Sequence, residues 1–147
     1  MKKILFYKVR DPYGEFSNFS SFGFTDDENM YWPTSEHYFQ AKKFKSLVLQ
    51  EKIRNLKSPM DAAIEGRNRK NPLRQDWEDI KYDIMFYAVY QKFNQNSILK
   101  ELLLSTANLP IIEHTANDSY WGDGGDGTGQ NQLGNILMEV RNKLRSS

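Results

Sequence analysis

"WPTSEHYFQAKKF", residues 32–44, opens on turn chemistry and continues as a short aromatic helix. Thr34 follows Pro33 and carries the side-chain oxygen that an N-cap needs, with Glu36 in the first turn beside the positive end of the helix. The pattern predicts a helix from Thr34 to about Phe44. With Glu36 set at zero and about 100° of rotation per residue, Gln40 falls at about 40° and Lys43 at about −20°. Phe39 and Phe44 flank this stripe, whereas Lys42 and Lys45 fall on the opposite side with Tyr38. The aromatic flanks mark the inward direction. Glu36, Gln40 and Lys43 are therefore expected to face the protein body, and Lys42 and Lys45 to face water. A carboxylate, an amide and an ammonium on an inward face are costly unless paired. The bland reading is a structural polar network. The sharper one is a pocket lining, with Glu36 as acid/base or stabiliser of positive charge and Lys43 as an amine whose burial favours nucleophilic use. His37 reads as a packed, hydrogen-bonded histidine.

Outward from this stretch the chain alternates short strands with more helix. "ILFYKV" (4–9) reads as a strand ended by Asp11-Pro12-Tyr13-Gly14; residues 16–24 alternate loosely and read as extended; "ENMYW" (28–32) is a third candidate strand. A second helix is expected from about Leu47 to Leu56. In "SPMDAAIEG", Ser58 caps, Pro59 sits at the first helical position and Gly66 stops the helix. Residues 76–93 form the longest helix, with Trp77, Ile80, Ile84, Tyr87 and Ala88 near one stripe; 97–105 is a short helix and 109–115 a strand. Leu133, Ile136, Leu137, Val140 and Leu144 give an amphipathic final helix. The fold class is α+β: a single mostly helical domain, 1–147, with a few short strands.

The totals fit one domain. At 147 residues, roughly 68–70% of the unfolded surface can be buried, so no staple is required. There are no cysteines, which excludes disulfides, thiolate metal sites and cysteine nucleophiles. The net charge is +1, low for a protein that works mainly by neutralising phosphates. No stretch approaches the roughly 18 apolar residues of a spanning helix, and the N-terminal apolar run is too short for a signal peptide. A cytoplasmic protein with no membrane partner is expected.

Two further clusters carry chemistry. "YWGDGGDGTGQNQLG" holds five glycines between Gly122 and Gly129 and leads into the final helix. Glycine N–H groups ahead of a helix can cradle a phosphate, and Trp121 offers a stacking face beside them. The loop matches no Walker A or dinucleotide fingerprint. Asp118, Asp123 and Asp126 lack a calcium-binding spacing, so no metal is expected. "GRNRKNPLR" brings together Arg67, Arg69, Lys70 and Arg74. Such a run is ordinarily a solvated surface and alternatively a hold on a phosphorylated ligand.

"GEFSNF", "WPTSEHYFQAKKF", "SPMDAAIEGRNRKNPLRQDW" and "EHTANDSYWGDGGDGTGQNQLGNILMEVR", in this order along nearly the whole chain, resemble the YbiA-like, NADAR-type N-glycosidases. The resemblance implies hydrolysis of an N-glycosidic bond without metal or organic cofactor. It implies two substrate classes: phosphoribosylamino-pyrimidine intermediates of riboflavin synthesis, and ADP-ribose on modified guanine, including ADP-ribosylated nucleic acid. Carried onto this sequence, it implies Glu36 and Lys43 as catalytic groups. Asn18, Gln40, Arg67, Asp118, Trp121, Gly122, Asp126 and Gly127 would contact substrate. Trp121 would stack on the base or ribose, Asp118 would orient it or contact a ribose hydroxyl, and the 122–129 loop with Arg67 would hold phosphate. The alternative function is a module that binds ADP-ribose or a nucleotide without cleaving it.

Overall fold

The computed structural model describes residues 2–146. Strands β1 (Ile4–Phe6), β2 (Phe24–Thr25) and β3 (Tyr31–Trp32) precede helices α1 (Ser35–Ala41), α2 (Leu47–Arg54), α3 (Pro59–Gly66), α4 (Trp77–Gln95) and α5 (Ser97–Ser105). Strand β4 (Ile111–Glu113) and helix α6 (Gln132–Arg145) complete the chain. The expected α+β class, mostly helical with a few short strands, is what folds. Two compact units form, one from Met1–Ser20 with Phe93–Ser147 and one from Ser21–Lys92.

In the first unit β1 and β4 pair in parallel, Ile4 opposite Ile111 and Phe6 opposite Glu113. Helix α6 packs on β4 and α5 packs on α6. The expected stripe of α6 is the buried one: Leu133, Ile136, Leu137, Val140 and Leu144 are all in the core. Gly134 lets α6 come this close, because a Cβ there would lie 2.1 Å from the Ile111 carbonyl oxygen. Arg141 is buried and donates to Thr106 Oγ1 and to the Leu109 carbonyl at 2.8–2.9 Å, pinning the α5–β4 connection.

In the second unit β2 and β3 form a two-stranded antiparallel ladder, Phe24 opposite Trp32. Asp26 closes its turn: one carboxylate oxygen accepts from the Glu28 and Met30 amides and the other from Trp32 Nε1 at 2.8 Å. Helices α1, α2 and α3 pack on one another, and α1 also packs on β3. The core joins Phe24, Trp32, Tyr38, Ala41, Phe44, Ile53, Ala62 and Ala88.

Three expectations need correction. Residues 16–24 are mostly turn; a 3-10 helix covers Gly14–Phe16, and only Phe24 pairs as strand, since side-chain turns such as Phe19 N–H to Ser17 Oγ compete with extension. Helix α1 stops at Ala41 rather than about Phe44, because the Lys43 and Phe44 amides bond three residues back, in a tightening last turn. Finally, α1 has no solvated side. All seven of its residues are buried, Tyr38 among them, with Phe24, Trp32 and Tyr87 rings 5.2–5.4 Å from its own. Lys42 is correspondingly half-buried, its ammonium over the Tyr38 and Trp32 rings and donating to Gln50 Oε1 at 3.3 Å. Only Lys45 is exposed as expected.

A candidate active site at helix α1

The start of α1 is built by Thr34, whose hydroxyl oxygen accepts from the His37 amide at 3.1 Å. His37 then does structural work with both ring nitrogens. Nε2 lies 3.0 Å from the Leu56 carbonyl, which can only accept, so Nε2 carries the proton; Nδ1 lies 2.8 Å from the Thr34 hydroxyl, which donates to it. Burial pushes the imidazole below its ordinary 6.5, against the Leu56 carbonyl and the Asp61 charge, which favour the cation. A base depressed in the folded state is protonated first in the unfolded chain. The stability it contributes is therefore present above about pH 6.5 and lost as pH falls below it. Thermal melts from about pH 7 to about pH 5 should show this loss, and His37→Gln should flatten it.

Burial all round a polar helix demands partners. Glu36 is 8% exposed and Gln40 4%. Gln40 Nε2 donates to Glu36 Oε2 at 2.6 Å, so the two inward residues meet as the one-turn spacing requires. Lys43 follows from the turn after α1, half-buried, with its ammonium 5.8 Å from the Phe39 ring centre. Burial holds the Lys43 amine below its ordinary value of 10.5, helped by Arg67 and Arg69, while Glu36 and Glu78 act to raise it. Glu36 is thus close enough for its charge to act on Lys43, although the two leave the ideal helical stripe at Ala41. Arg74 fixes this turn: its amide donates to the Lys43 carbonyl at 2.9 Å.

A cleft of about 400 Å³ opens at this place, lined by Lys43, Gly66, Arg67, Arg69, Trp77 and Glu78 among others. Lys43 and Arg67 therefore come together as expected, while Glu36 and Gln40 stand behind the lining rather than in it. The basic cluster divides. Arg74 is spent on Asp76, at 2.7 Å, and Lys70 does not line the cleft. Arg67 and Arg69 are exposed, and their guanidinium groups have no partner among the described residues. Trp77 is 5% exposed yet lines the cleft, and its ring packs 5.0 Å from that of Phe39.

The remaining expected residues belong to the first unit. Asn18 is buried just after the 3-10 helix. Asp118 Oδ1 accepts from the Tyr120 and Trp121 amides at 2.9 and 2.8 Å and so closes this turn of backbone. The Tyr120 and Trp121 rings meet edge-on at 4.7 Å. The expected amide cradle is not presented. The Gly124 N–H donates to the Asp118 carbonyl, Gly127 and Gly129 donate to the Asp123 carbonyl, and Gly125 donates to Asp123 Oδ1. Glycine content revealed the turns but not where their amides point. Gly122 is buried, with Thr115 Cγ2 2.8 Å from where its Cβ would lie, and Gly127 stands at φ 88°. Asp126 is exposed and folds back on Thr128, accepting from its amide at 3.0 Å and its hydroxyl at 2.7 Å.

The organiser of this loop is Asp123, which sequence reading weighed only as a calcium ligand. Its carboxylate accepts from the Thr115 and Gly125 amides and from His114 Nδ1 at 2.7 Å. Burial pushes it up, but these bonds outweigh burial and hold the carboxyl below the ordinary range. Asn131 was also missed: in left-handed backbone before α6, it accepts from the Glu113 amide and donates to the Ile111 carbonyl. Among the described residues no helix could cross a membrane and no group of three His, Asp or Glu converges as a metal site.

The NADAR domain family matches residues 5–145. N-glycosidase YbiA of Shigella flexneri is 52% identical over 141 residues, 96% of this chain and 88% of its own length. A riboflavin biosynthesis protein of Vibrio vulnificus is 41% identical over 97% of this chain, which spans 38% of that protein. The NMR structure of Escherichia coli YbiA superposes with a TM-score of 0.90 at 49% identity, covering 99% of this chain and 88% of that one. With the domain matched almost end to end and half of the residues shared with YbiA, this chain belongs to the NADAR family.

Proposed function

We propose that this chain hydrolyses the N-glycosidic bond of a phosphorylated ribose N-glycoside, with a phosphoribosylamino-pyrimidine of riboflavin synthesis as the preferred substrate. The coarser statement stands on the relatives: the chain is an N-glycosidase, a hydrolase of N-glycosyl bonds. The phosphoribosyl substrate is our reading. One observation carries it: a depressed amine, two unpartnered guanidinium groups and a flat indole line one cleft, backed by a buried carboxylate. The riboflavin-related name of the Vibrio relative supports the choice of base.

The chemistry follows from charge. As the C1′–N bond breaks, its electron pair leaves with the base and positive charge builds on the ribose. Glu36, as the carboxylate that Gln40 supports, stabilises that charge and takes a proton from the attacking water. Lys43 offers a second route: its neutral amine attacks C1′ as the base leaves with the C1′–N electron pair and takes up the proton that the amine sheds, and water then hydrolyses the ring-opened Schiff base. Arg67 and Arg69 are assigned to the phosphate by bidentate bonding, a geometry that lysine cannot supply. The flat face that this cleft offers to the base is the Trp77 indole.

Two measurements test this reading. Arg67→Ala and Arg69→Ala should each weaken binding of ribose 5-phosphate by about tenfold or more, the scale of a lost charge-assisted hydrogen bond. Unchanged affinity would remove the phosphate assignment. Specificity constants for a phosphoribosylamino-pyrimidine and for ADP-ribosyl-guanine, followed by mass spectrometry, should favour the former. The reverse order would move the substrate to the ADP-ribosyl class while leaving the bond type intact.

A further inference from the structure

Gly66 ends α3 in the core, and what it lacks matters. A Cβ at this position would lie 2.0 Å from Gln40 Oε1, 2.7 Å from Gln40 Cδ and 3.0 Å from Gln40 Cβ. Gln40 is 4% exposed, so its amide has nowhere to retreat. Its Oε1 is buried with no hydrogen-bond partner, while Nε2 donates to Glu36 at 2.6 Å. The direction in which Gly66 has hydrogen instead of carbon points at that oxygen.

We infer that Gly66 is a positioning residue for the N-glycosidase site: its bare Cα holds the Gln40 amide with the N–H turned to Glu36, so that Glu36 is presented as an acceptor carboxylate. The inference rests on Glu36 being the catalytic carboxylate. With Oε1 toward Gly66, the oxygen meets a Cα–H, a weak but attractive contact. With the amide reversed, its NH₂ would meet that C–H with no attraction, and its oxygen would face the Glu36 oxygen. The reversed amide suits only a protonated Glu36. Gly66 therefore favours the orientation that suits the charged form. It also explains why a buried amide oxygen is tolerated without a conventional donor, which is otherwise costly.

The test needs no substrate, so it stands or falls separately from the assigned activity. Glutamate carboxyl carbons would be titrated by NMR in the wild type, Gly66→Ala and Gln40→Met, with Glu36 identified by its loss in Glu36→Gln. Lys43 is a cation whose field reaches Glu36, and Arg67, Arg69 and Glu78 act on Lys43 in turn; all remain in every variant. Both Gly66→Ala and Gln40→Met should move the Glu36 midpoint up by about one pH unit, the scale of losing a hydrogen bond to a charge. A folded Gly66→Ala with the wild-type midpoint would overturn the inference, as would an unmoved Gln40→Met. If Gly66→Ala does not fold, the double variant Gly66→Ala/Gln40→Ala decides. Gln40→Ala removes the two closest atoms met by the new Cβ, Oε1 and Cδ, and leaves only the Gln40 Cβ contact at 3.0 Å, so the double variant should recover most of the folding that Gly66→Ala loses. Equal loss of folding in both backgrounds would mean that Gly66 serves the backbone rather than Gln40. With substrate, folded Gly66→Ala should lose kcat with KM little changed.

Discussion

Glu36→Gln is expected to lower kcat by roughly 10²–10⁴-fold while ligand affinity stays within about tenfold, about 1.4 kcal/mol. The new amide is nearly the size of the carboxylate and can still accept the Gln40 N–H through its oxygen, so α1 and its neighbours should stay folded. What it cannot do is carry the negative charge that balances a developing ribose cation or accept the proton of the attacking water. Single-turnover rates and ligand titrations on the same preparation check both halves. Loss of binding in a folded Glu36→Gln would make the Gln40–Glu36 pair a structural device. Full turnover would place the chemistry elsewhere.

The second large effect is at Lys43. Lys43→Met keeps an unbranched apolar stem and removes the amine; the expected loss is about hundredfold or more in kcat. The sharper variant is Lys43→Arg. A guanidinium preserves positive charge but is not deprotonated at working pH. If Lys43 acts as a neutral amine, Arg should be as damaging as Met, and borohydride should trap a ribosyl adduct on the wild type alone. If Lys43 only places charge, Arg should retain most of the rate and no adduct should form. The pH dependence has a definite sign. Burial, Arg67 and Arg69 hold the amine below 10.5, so the neutral fraction grows as pH rises toward that value from below. A nucleophilic Lys43 gives a rate that climbs with pH, with its midpoint below 10.5 in the free enzyme.

Much of this was legible in the residues. The Thr34 and Ser58 caps fall where the side chains said, each hydroxyl accepting from the amide three residues on. The α6 stripe is buried residue for residue. The meeting of Glu36 and Gln40 followed from one turn of helix. What was not legible depends on distant partners. Nothing local tells that Tyr38 will be enclosed by Phe24, Trp32 and Tyr87, or that the Arg74 amide will hold the Lys43 carbonyl beyond the helix end. The glycine loop shows a different limit. Composition announces left-handed backbone, and Gly124, Gly125 and Gly127 adopt it. Composition does not say that the Asp118 carbonyl will take the Gly124 amide and that Asp123 will take those of Gly125 and Gly127. Gly66 is legible only once Gln40 is seen across from it.

The most direct test of the account is to give purified wild-type protein a phosphoribosylamino-pyrimidine and follow products by mass spectrometry. Ribose 5-phosphate and the free aminopyrimidine should appear in equal amounts over many turnovers, and Glu36→Gln should bind the same compound without releasing either. A wild-type protein that binds the compound and leaves it whole would contradict the account and describe a binding module.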